Sequence, residues 1–454
     1  MKEMTGSLLI KLESKSAKIG IIGLGYVGLP LAIAFAKKFN VIGYDVNESI
    51  IKNLLTGRSL ILDVGENDIR EHSNKTFFPT HNHKELEKCD FIIICVPTPL
   101  TEERIPDLSY IIGACKIIAM ILREGQFVIL ESTTYPRTTE EILIPLLERE
   151  GLKAGVDFGV AYSPERIDPG NRKYKIGNIP KVVGGINEEC TEIAAVLYES
   201  ITERVIKVGD TKTAEAVKMV ENIFRNVNIA LANELALIFE RLDIDIWDVI
   251  DAAATKPYGF MPFYPGPGIG GHCIPLDPFY MSYIAKRYEF IPRFIETAGE
   301  INEFMKIHVV NLAEKGLKKA GKSVHEAKVV IMGLAYKKNI DDTRESPAIK
   351  IIEEFVNLGA EVRVYDPYVK SIKTKVGVFN SEKVLEDAFK DSDCAIFVVD
   401  HDVFKEISAE QLRELMKSPV IIDCKNVFIS FNSSRDFVYF CIGNDNSRGN
   451  PSYC

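Results

Sequence analysis

The sequence feature that most constrains the fold is a strand, a glycine-rich turn, a helix and a second strand in immediate succession. The run Lys18-Ile19-Gly20-Ile21-Ile22 leads into Gly23-Leu24-Gly25-Tyr26-Val27-Gly28, helical spacing follows from Leu29 to Phe39, and a second apolar run ends at Asp45. The first two glycines suit a tight turn near a pyrophosphate, and the third lets the helix pack on the strand. Asp45 comes where a carboxylate accepts hydrogen bonds from ribose hydroxyls and repels a 2′-phosphate. The pattern predicts dinucleotide binding, NAD rather than NADP, over the alternative of a purely structural turn.

Three further apolar runs predict more strands of the same parallel sheet. They span residues 91–96, 127–130 and 159–162, and polar segments follow at their ends: Val96-Pro97-Thr98, Glu131-Ser132-Thr133-Thr134 and Ser163-Pro164-Glu165. Ligands of open parallel α/β sheets bind at the carboxyl ends of the strands. These three strand ends are therefore expected to supply polar site residues.

The middle of the chain is predicted to be helical, and the end returns to an α/β pattern. From Thr213 to about Leu242, apolar residues recur at helical spacing without Gly or Pro, a length that suits a bridge between domains or a dimer spine. Further helices are predicted near 244–254, 298–319 and 346–358, and strands at 328–333, 361–366, 394–399 and 420–423. The predicted domains are 1–212, 213–320 and 321–454, with a frayed Asn/Ser-rich tail from Asn444.

Length and composition agree with this organisation. The chain has 454 residues, a formal net charge of −9 and 46% hydrophobic residues, enough for about three domains of roughly 150 residues each. These values exclude a disordered, collagen-like or cationic nucleic-acid-coating chain, and neither nucleic acid nor membrane is an expected partner. Nine cysteines without a CxxC pair predict no metal site and no disulfide framework. Without a signal-like or membrane-spanning apolar run, a cytoplasmic protein with reduced thiols is expected.

A glycine-rich loop surrounds one of the cysteines. Residues 265–277 read Pro-Gly-Pro-Gly-Ile-Gly-Gly-His-Cys-Ile-Pro-Leu-Asp, which places Asp277 four residues after Cys273. Glycines at this density let backbone amides approach a ligand closely, which neither a helix nor a strand requires. The loop favours a functional Cys273 over the alternative of a buried core cysteine, whereas His272 is expected to be structural.

Five ordered motifs together resemble the UDP-glucose/GDP-mannose dehydrogenases. Besides the glycine turn and the cysteine loop, they are TAEAVKMVEN at 213–222, GLAYKK at 333–338 and DTRES at 342–346. Members of this family use NAD to oxidise the C6 alcohol of a nucleotide sugar to a carboxylate in two hydride transfers. The resemblance implies an α/β fold of two Rossmann-like doubly wound domains, joined by a central helical domain with a long bridging helix. It also implies a homodimer through that central domain.

The resemblance assigns catalytic roles to residues of these motifs. Cys273 matches the nucleophile that forms a thiohemiacetal and then a thioester, and Lys218 with Asn222 matches the groups that stabilise the developing oxyanion. Asp277 would hold a water or the lysine for proton transfer. Glu165 matches the base in thioester hydrolysis, and Thr133 the threonine that orients the water.

The binding residues that the resemblance implies fall into two groups. The cofactor contacts are Gly23, Gly25, Tyr26, Val27, Gly28, Asp45, Val96, Pro97, Thr98, Ser132 and Arg344, the last reaching the pyrophosphate from the C-terminal domain. The substrate contacts are Glu165, Arg166, Lys218, Asn222, Tyr264, Gly268, Tyr336 and Lys337. Lys337 would give a nucleotide diphosphate a positive partner.

Departures from the glucose-type members narrow the expected substrate. Pro169 stands where they carry a second acidic residue, and no arginine occurs between Arg241 and Arg287, where they have one. The stretch 255–264, Thr-Lys-Pro-Tyr-Gly-Phe-Met-Pro-Phe-Tyr, resembles the branch that acts on UDP-N-acetylhexosamines. UDP-N-acetylglucosamine is expected first, then UDP-N-acetylmannosamine and UDP-glucose. A single-step β-hydroxyacid-type dehydrogenase and a non-catalytic NAD-binding protein are the remaining alternatives.

Overall fold

The computed structural model describes residues 2–59, 61, 64–101, 103–168, 171, 173–271, 274–428 and 437–444. Its internal contacts divide the chain into two compact units. The N-terminal unit comprises Met1–Glu221 and Phe279–Ile291, and the C-terminal unit comprises Asn222–Pro278 and Pro292–Cys454. This is a different division from the three domains expected from the sequence, whose boundaries stay a prediction.

The first half of the chain alternates strands and helices. Its elements are α1 (Lys2–Glu13), β1 (Lys18–Ile22), α2 (Gly28–Ala36), β2 (Asn40–Tyr44), α3 (Glu48–Leu55), α4 (Glu66–His72), β3 (Phe77–Thr80), β4 (Phe91–Ile94), α5 (Ser109–Ala119), β5 (Phe127–Leu130), α6 (Ile144–Leu147), β6 (Gly159–Tyr162), β7 (Lys181–Gly185), α7 (Glu188–Glu199) and β8 (Val205–Lys207). A π-helical turn, Thr139–Leu143, precedes α6.

Within the described residues, the strands of the N-terminal unit form an eight-stranded sheet in the order β3-β2-β1-β4-β5-β6-β7-β8. Neighbouring strands are parallel except β6 and β7, which are antiparallel. Strands β4, β5 and β6 are buried along their whole length, because apolar clusters cover both faces of the sheet. The strand order reverses between β1 and β4, which is where ligands of doubly wound sheets bind.

Helix α1 was not expected from the sequence. It buries Met4, Leu8 and Leu12 in the core cluster that also contains residues of α2 and α7. These three residues are spaced four apart and so share one helix face. The element therefore covers one side of the sheet as a packed helix.

The second half of the chain is first helical and then α/β. Its elements are α8 (Thr211–Leu242), α9 (Ile246–Ala254), α10 (Asp277–Arg287), α11 (Arg293–Lys319), β9 (Lys328–Met332), α12 (Pro347–Asn357), β10 (Glu361–Tyr365), β11 (Ser371–Thr374), β12 (Gly377–Asn380), α13 (Leu385–Phe389), β13 (Cys394–Phe397), α14 (Ala409–Leu415), β14 (Val420–Asp423) and β15 (Val438–Cys441). Helix α8 has 32 residues, close to the predicted length. Helix α11 begins directly after Pro292, five residues before the predicted start.

The described part of the C-terminal unit contains a five-stranded parallel sheet in the order β10-β9-β13-β14-β15 and an antiparallel pair, β11 and β12. Its reversal point lies between β9 and β13. The predicted fold class is confirmed: the chain contains two doubly wound α/β sheets, with the long helix α8 between them in the sequence. Strand β15 was not predicted, and the predicted frayed tail beyond Asn444 lies outside the described residues.

Candidate active site

The turn after β1 contains three glycines, and the structural reason for a glycine differs from one position to the next. Gly23 has φ +91°, and a Cβ there would lie 2.6 Å from the carbonyl oxygen of Cys95. A side chain at Gly28 would collide with the carbonyl oxygen of Gly23. Gly25 differs, because a Cβ there would meet no atom within 4 Å. Packing therefore requires Gly23 and Gly28, whereas Gly25 leaves backbone open at the N-terminus of α2, where a pyrophosphate fits.

Asp45 follows β2 and lies beside this turn. Its Oδ2 accepts a hydrogen bond from Leu24 N at 2.8 Å, and its Oδ1 accepts one from Asn47 N, also at 2.8 Å. Each oxygen keeps lone-pair capacity for another donor, since a carboxylate accepts about four hydrogen bonds. The partly exposed carboxylate can thus receive ribose hydroxyls, and the unit fits a dinucleotide.

The ends of β4 and β5 lie next to the glycine turn. Ser132 Oγ donates to the carbonyl oxygen of Val96 at 2.8 Å, and a Cβ at Gly23 would lie 3.3 Å from the Cα of Val96. The carbonyl of Thr98 accepts a hydrogen bond from Tyr280. The structure thus brings the predicted cofactor residues of β1, β4 and β5 together in the N-terminal unit.

A buried ionic cluster, Glu131–Lys181–Glu165, lies beyond these strand ends. Lys181 Nζ is 2.7 Å from Glu131 Oε1 and 2.8 Å from Glu165 Oε2, and all three side chains are buried. Burial opposes ionisation of Glu165, but Lys181 and nearby backbone amides outweigh it, so the pKa of Glu165 lies below its usual range. Burial raises the pKa of Glu131 despite the same lysine. The predicted base Glu165 is therefore an ion-paired carboxylate in this structure.

The loop that carries Glu165 also contacts the first half of α8. Glu165 Oε1 accepts hydrogen bonds from the amides of Arg166 and Ile167, at 2.6 and 2.7 Å. Lys218 Nζ donates to the main-chain carbonyl of Glu165 at 2.6 Å. Arg166, whose substrate contact stays a prediction, pairs with Glu221 at 2.6 Å and donates to the carbonyl oxygen of Pro180. The loop is thus fastened to α8 at Glu165 and at Arg166.

A buried glutamate of α8, Glu215, fixes the segment after β5. Glu215 Oε1 accepts from the amide and the hydroxyl of Thr139 at 2.8 and 2.7 Å, and Oε2 accepts from Arg137 N at 2.5 Å. Thr133, the predicted water-orienting residue, is half-buried at the start of this segment. Its neighbour Thr134 is buried, with its hydroxyl 2.7 Å from that of Thr138.

The glycine-rich loop belongs to the C-terminal unit. The predicted nucleophile Cys273 and its neighbour His272 lie outside the described residues. Before them, Gly271 has φ +90° and donates its amide to the carbonyl oxygen of Arg344 at 3.0 Å. A Cβ at Gly270 would lie 2.6 Å from the Cβ of Tyr336. The glycines are thus required by close packing on the segment after β9, which carries the predicted substrate residues.

Other predicted residues of this unit are engaged with neighbours. Asn222 donates a hydrogen bond from its amide nitrogen to the carboxylate of Asp277, which is buried at the start of α10. Arg344 forms a bidentate pair with Asp342, its NH2 to Oδ2 distance being 2.6 Å. Tyr264 stacks on Trp247 and donates to Asp251 at 2.6 Å. A Cβ at Gly268 would lie 2.8 Å from the carbonyl oxygen of Asn302, so this glycine is also a packing requirement.

Three buried or partly buried charged residues near these groups were missed from the sequence, Lys181, Glu215 and Lys425, and Glu131 was expected only as part of a polar strand end. Lys425 follows β14, its ammonium lies where a side chain at Gly266 would project, and burial lowers its pKa. The available sequence signal for Lys181 was its position directly before the apolar run Val182-Val183-Gly184-Gly185. Among the residues that the structure describes, no cluster of three or more His, Cys, Asp or Glu could hold a metal ion. None of the described helices is long and apolar enough to span a membrane.

Comparison with known proteins identifies the family. Residues 17–202 match the NAD binding domain of the UDP-glucose/GDP-mannose dehydrogenase family, 212–304 its central domain and 330–430 its UDP binding domain. A UDP-N-acetyl-D-glucosamine 6-dehydrogenase of Pseudomonas aeruginosa is 40% identical over 414 residues, covering 90% of this chain and 97% of that protein. A UDP-N-acetyl-D-mannosamine dehydrogenase of Pyrococcus horikoshii is 38% identical over 413 residues, covering 90% and 96%.

Comparison with solved structures supports the same family. The structure of a UDP-D-ManNAc dehydrogenase from Pyrococcus horikoshii superposes with a TM-score of 0.87 at 36% identity, covering 94% of this chain and all of the other. The family's NAD-binding and UDP-binding models match the two α/β parts of the sequence. The chain belongs to the UDP-glucose/GDP-mannose dehydrogenase family and is an NAD-dependent nucleotide-sugar 6-dehydrogenase that takes a UDP-sugar.

Proposed function

We propose that this enzyme oxidises the C6 alcohol of UDP-N-acetylglucosamine to the uronic acid, with UDP-N-acetylmannosamine as the alternative substrate. Lys218 carries the chemical part of the proposal. Its side chain is only 8% exposed, its ammonium donates to a neutral carbonyl at 2.6 Å, and among the described residues it has no carboxylate partner. A buried positive charge that no carboxylate neutralises is suited to stabilise an oxyanion that develops at O6.

Cys273 is proposed as the nucleophile. After the first oxidation its thiol adds to the C6 aldehyde, the new C–S bond giving a thiohemiacetal whose oxygen takes a proton. The second oxidation removes the remaining C6 hydrogen as hydride and leaves a thioester, and water then cleaves the C–S bond to give the carboxylate and the free thiol. The sum is one alcohol, one water and two NAD giving one carboxylate, two NADH and three protons.

The proton carriers and water-positioning groups are proposed around these steps. Asn222 is hydrogen-bonded to Asp277, which suits the pair to fix the reacting oxygen and accept a proton. Glu165 would act on the hydrolytic water with Thr133. In this structure Glu165 pairs with Lys181 and has a lowered pKa, so it is held as the ionised carboxylate that a proton acceptor must be.

The cofactor would bind at the open backbone of Gly25 and at the Asp45 carboxylate, with Tyr26, Val27, Pro97, Thr98 and Arg344 as further proposed contacts. When bound, NAD supplies the hydride acceptor for both oxidations. Asp45 orients the ribose through the oxygens already aligned by Leu24 N and Asn47 N. That alignment needs no reorganisation on binding, which favours affinity.

The nucleotide sugar is proposed to contact the loop after β9 and the glycine-rich loop, through Gly268, Tyr336 and Lys337. Lys425 adds a second cation beside Gly266. Two lysines near these loops suit a diphosphate. Arg166 and Tyr264 are engaged with Glu221 and Asp251, so their proposed substrate contacts require these pairs to open or to be shared.

Substrate choice is tested by NADH formation with four nucleotide sugars. UDP-N-acetylglucosamine is expected to give two NADH per sugar and the highest kcat/KM, with UDP-N-acetylmannosamine next and UDP-glucose and GDP-mannose far lower. A higher kcat/KM for the manno sugar would reverse the order. Lys218→Met is expected to lower kcat roughly 10²-fold or more. Lys212→Met, which removes an exposed ion pair of the same helix, is expected to keep the wild-type kcat.

We also propose that the enzyme is a homodimer through the central helices. Five large apolar residues of α8 are exposed in the single chain: Val220, Phe224, Leu231, Ile238 and Leu242. Their spacing of four and seven places them along one stripe, which is unusual on a solvated helix. Light scattering is expected to give twice the chain mass, and Leu231→Glu to give the monomer.

A further inference from the structure

Lys181 lies where three strand ends of the N-terminal unit meet. It begins β7, Glu131 directly follows β5, and Glu165 follows β6 by three residues. The antiparallel register pairs Ala161 with Gly185, and the same register extended by four residues brings Glu165 opposite Lys181. The contact is thus set by the reversal of chain direction between β6 and β7. The lysine ammonium bridges both carboxylates, at 2.7 and 2.8 Å.

Among the residues that the structure describes, the charged and titratable groups around Glu165 come from five elements or the residues directly after them, and from the neighbouring Arg166. Lys181 comes from β7 and Glu131 from the end of β5. The Cys95 thiol follows β4, and the Tyr198 ring of α7 lies 5.2 Å from the Lys181 ammonium. Lys218 of α8 contacts the Glu165 main chain, and Arg166 beside it is neutralised by Glu221. Lys181 is therefore the cation in contact with the Glu165 carboxylate, and Glu131 competes for it.

A chain of hydrogen bonds runs from Lys181 to Lys218. Lys181 holds Glu165 Oε2, and Glu165 Oε1 accepts the two amides that follow it, which closes a turn in the loop. The same turn directs the Glu165 carbonyl oxygen at Lys218 Nζ, 2.6 Å away. Both ends of this chain are buried, so solvent cannot substitute for a lost contact at low cost.

We propose that Lys181 is a positioning residue for the oxidation: it keeps Glu165 ionised and holds the 163–167 loop so that the Glu165 carbonyl orients Lys218. The inference rests on the proposed roles of Glu165 and Lys218. Lys181 acts through these two residues and has no contact with the reacting atoms in this account. Glu131 is the counter-charge that lets the lysine be buried.

The test uses the full chain, with pH profiles of kcat and KM measured on UDP-N-acetylglucosamine. Lys181→Met is expected to lower kcat roughly 10²-fold, the scale of a lost general base. It should also move the acidic limb of the kcat profile upward by roughly one to three pH units, since Glu165 then loses its cation. KM should change less than kcat, and Lys181→Arg should recover much of the rate because it keeps the charge.

Two further variants keep the test decisive. Glu131→Gln should leave the acidic limb in place or move it downward, because the Lys181–Glu165 pair survives and a carboxylate that competes for Lys181 is lost. If Lys181→Met fails to fold, the double variant Lys181→Met with Glu131→Gln removes both charges together, which buried pairs tolerate better than the loss of one. The double variant should fold and still show the upward shift. Lys207→Met, which removes an exposed pair with Glu192, is the matched control and should change neither profile nor melting temperature.

The outcomes separate this inference from the proposed function. If the wild-type enzyme oxidises none of the nucleotide sugars, the proposed function fails and Lys181 has nothing to position. If the wild type is active and the folded variants lacking Lys181 lose only thermal stability, with an unmoved acidic limb, Lys181 is purely structural and the inference is overturned. A limb that moves equally in Glu131→Gln also overturns it, because Glu131 would then be the group that matters.

Discussion

Glu215 allows a prediction whose sign depends on two opposing effects. The residue is fully buried on α8, which favours the neutral acid, while three donors from Arg137 and Thr139 point at its oxygens and favour the carboxylate. Burial outweighs the donors and raises the pKa of Glu215 from 4.5 to about 7. Glu215 of the folded chain therefore keeps its proton at pH values at which Glu215 of the unfolded chain has lost it.

The sign and size of the stability effect follow from this pKa. Because the folded state binds the proton more tightly, stability is greatest below the unfolded value of 4.5 and is lost as the pH rises through about 7. The whole shift corresponds to about 3 kcal/mol, at about 1.36 kcal/mol per tenfold change in proton affinity. Glu215→Gln has no proton to lose, so it should lack this part of the pH dependence.

The assay is urea unfolding of the wild type and Glu215→Gln at pH 5 and pH 8. The free energy of unfolding of the wild type should fall relative to the variant by up to about 3 kcal/mol between the two pH values. Other titrating groups cancel in this difference, and Glu192→Gln, which changes an exposed glutamate paired with Lys207, should show no such change. If the free energy of unfolding of the wild type instead rises relative to that of the variant as the pH rises, the reasoning is refuted, because the three donors would then dominate over burial.

Three further predictions concern the cofactor turn and the nucleophile. Gly25→Ala should fold normally, since its Cβ meets nothing within 4 Å, yet weaken NAD roughly tenfold in a titration, whereas Gly28→Ala should lower the melting temperature through its clash with Gly23. Asp45→Asn should raise the ratio of NADP to NAD affinity roughly tenfold or more, while Asp366→Asn should cost stability and leave that ratio unchanged. Cys273→Ser should abolish uronate formation, and a variant that still releases uronate at the wild-type rate contradicts the assignment of the nucleophile.

Local patterns were sufficient for nine of the fifteen strands that the structure describes and for the helices α2, α8, α9, α11 and α12. The β1-turn-α2-β2 segment follows from apolar runs, spaced glycines and a terminal Asp, all within 28 residues. Helix α8 follows from its apolar spacing. Helix α1 carries a comparable signal at Met4, Leu8 and Leu12. Apolar and polar residues alternate irregularly between these positions, which makes the helical spacing hard to recognise. Strand β15 lies in the apolar run 437–442, Phe-Val-Tyr-Phe-Cys-Ile, so a local signal for it was present and was missed, whereas its place beside β14 depends on pairing between distant segments.

The site was less accessible to sequence reasoning, for a physical reason. The motifs indicate which residues share a segment, but a buried ion pair forms between segments distant in sequence. Glu131 and Lys181 are fifty residues apart, and their pairing depends on the antiparallel β6–β7 register. Arg166 illustrates the converse: its motif predicts a substrate contact, while the fold presents it to Glu221.

In each sheet the first strand is followed by a glycine turn of the same geometry. Differences between the two turns explain why the predicted cofactor residues lie in the first sheet. Gly23 and Gly333 both have φ +91°, and the amide of the next residue donates to an aspartate after the second strand, Asp45 or Asp366. Asp366 is buried, and its Oδ2 also accepts from Ala335 N and lies 3.1 Å from His401 Nε2, while Oδ1 accepts two further amides. A carboxylate with all its lone pairs used cannot take ribose hydroxyls.

Ala335 also stands where the first turn has Gly25, so the second turn carries a Cβ at the position where the first leaves the backbone open. The second turn is therefore closed to a dinucleotide by its own hydrogen bonds. The chain that follows it, from Tyr336 onward, is left to pack against Gly270 and Gly271 of the cysteine loop. One turn geometry is thus suited to hold a cofactor where its aspartate keeps oxygens free for further donors, and it gives rigid support to the cysteine loop where its aspartate has no oxygen left for a ligand.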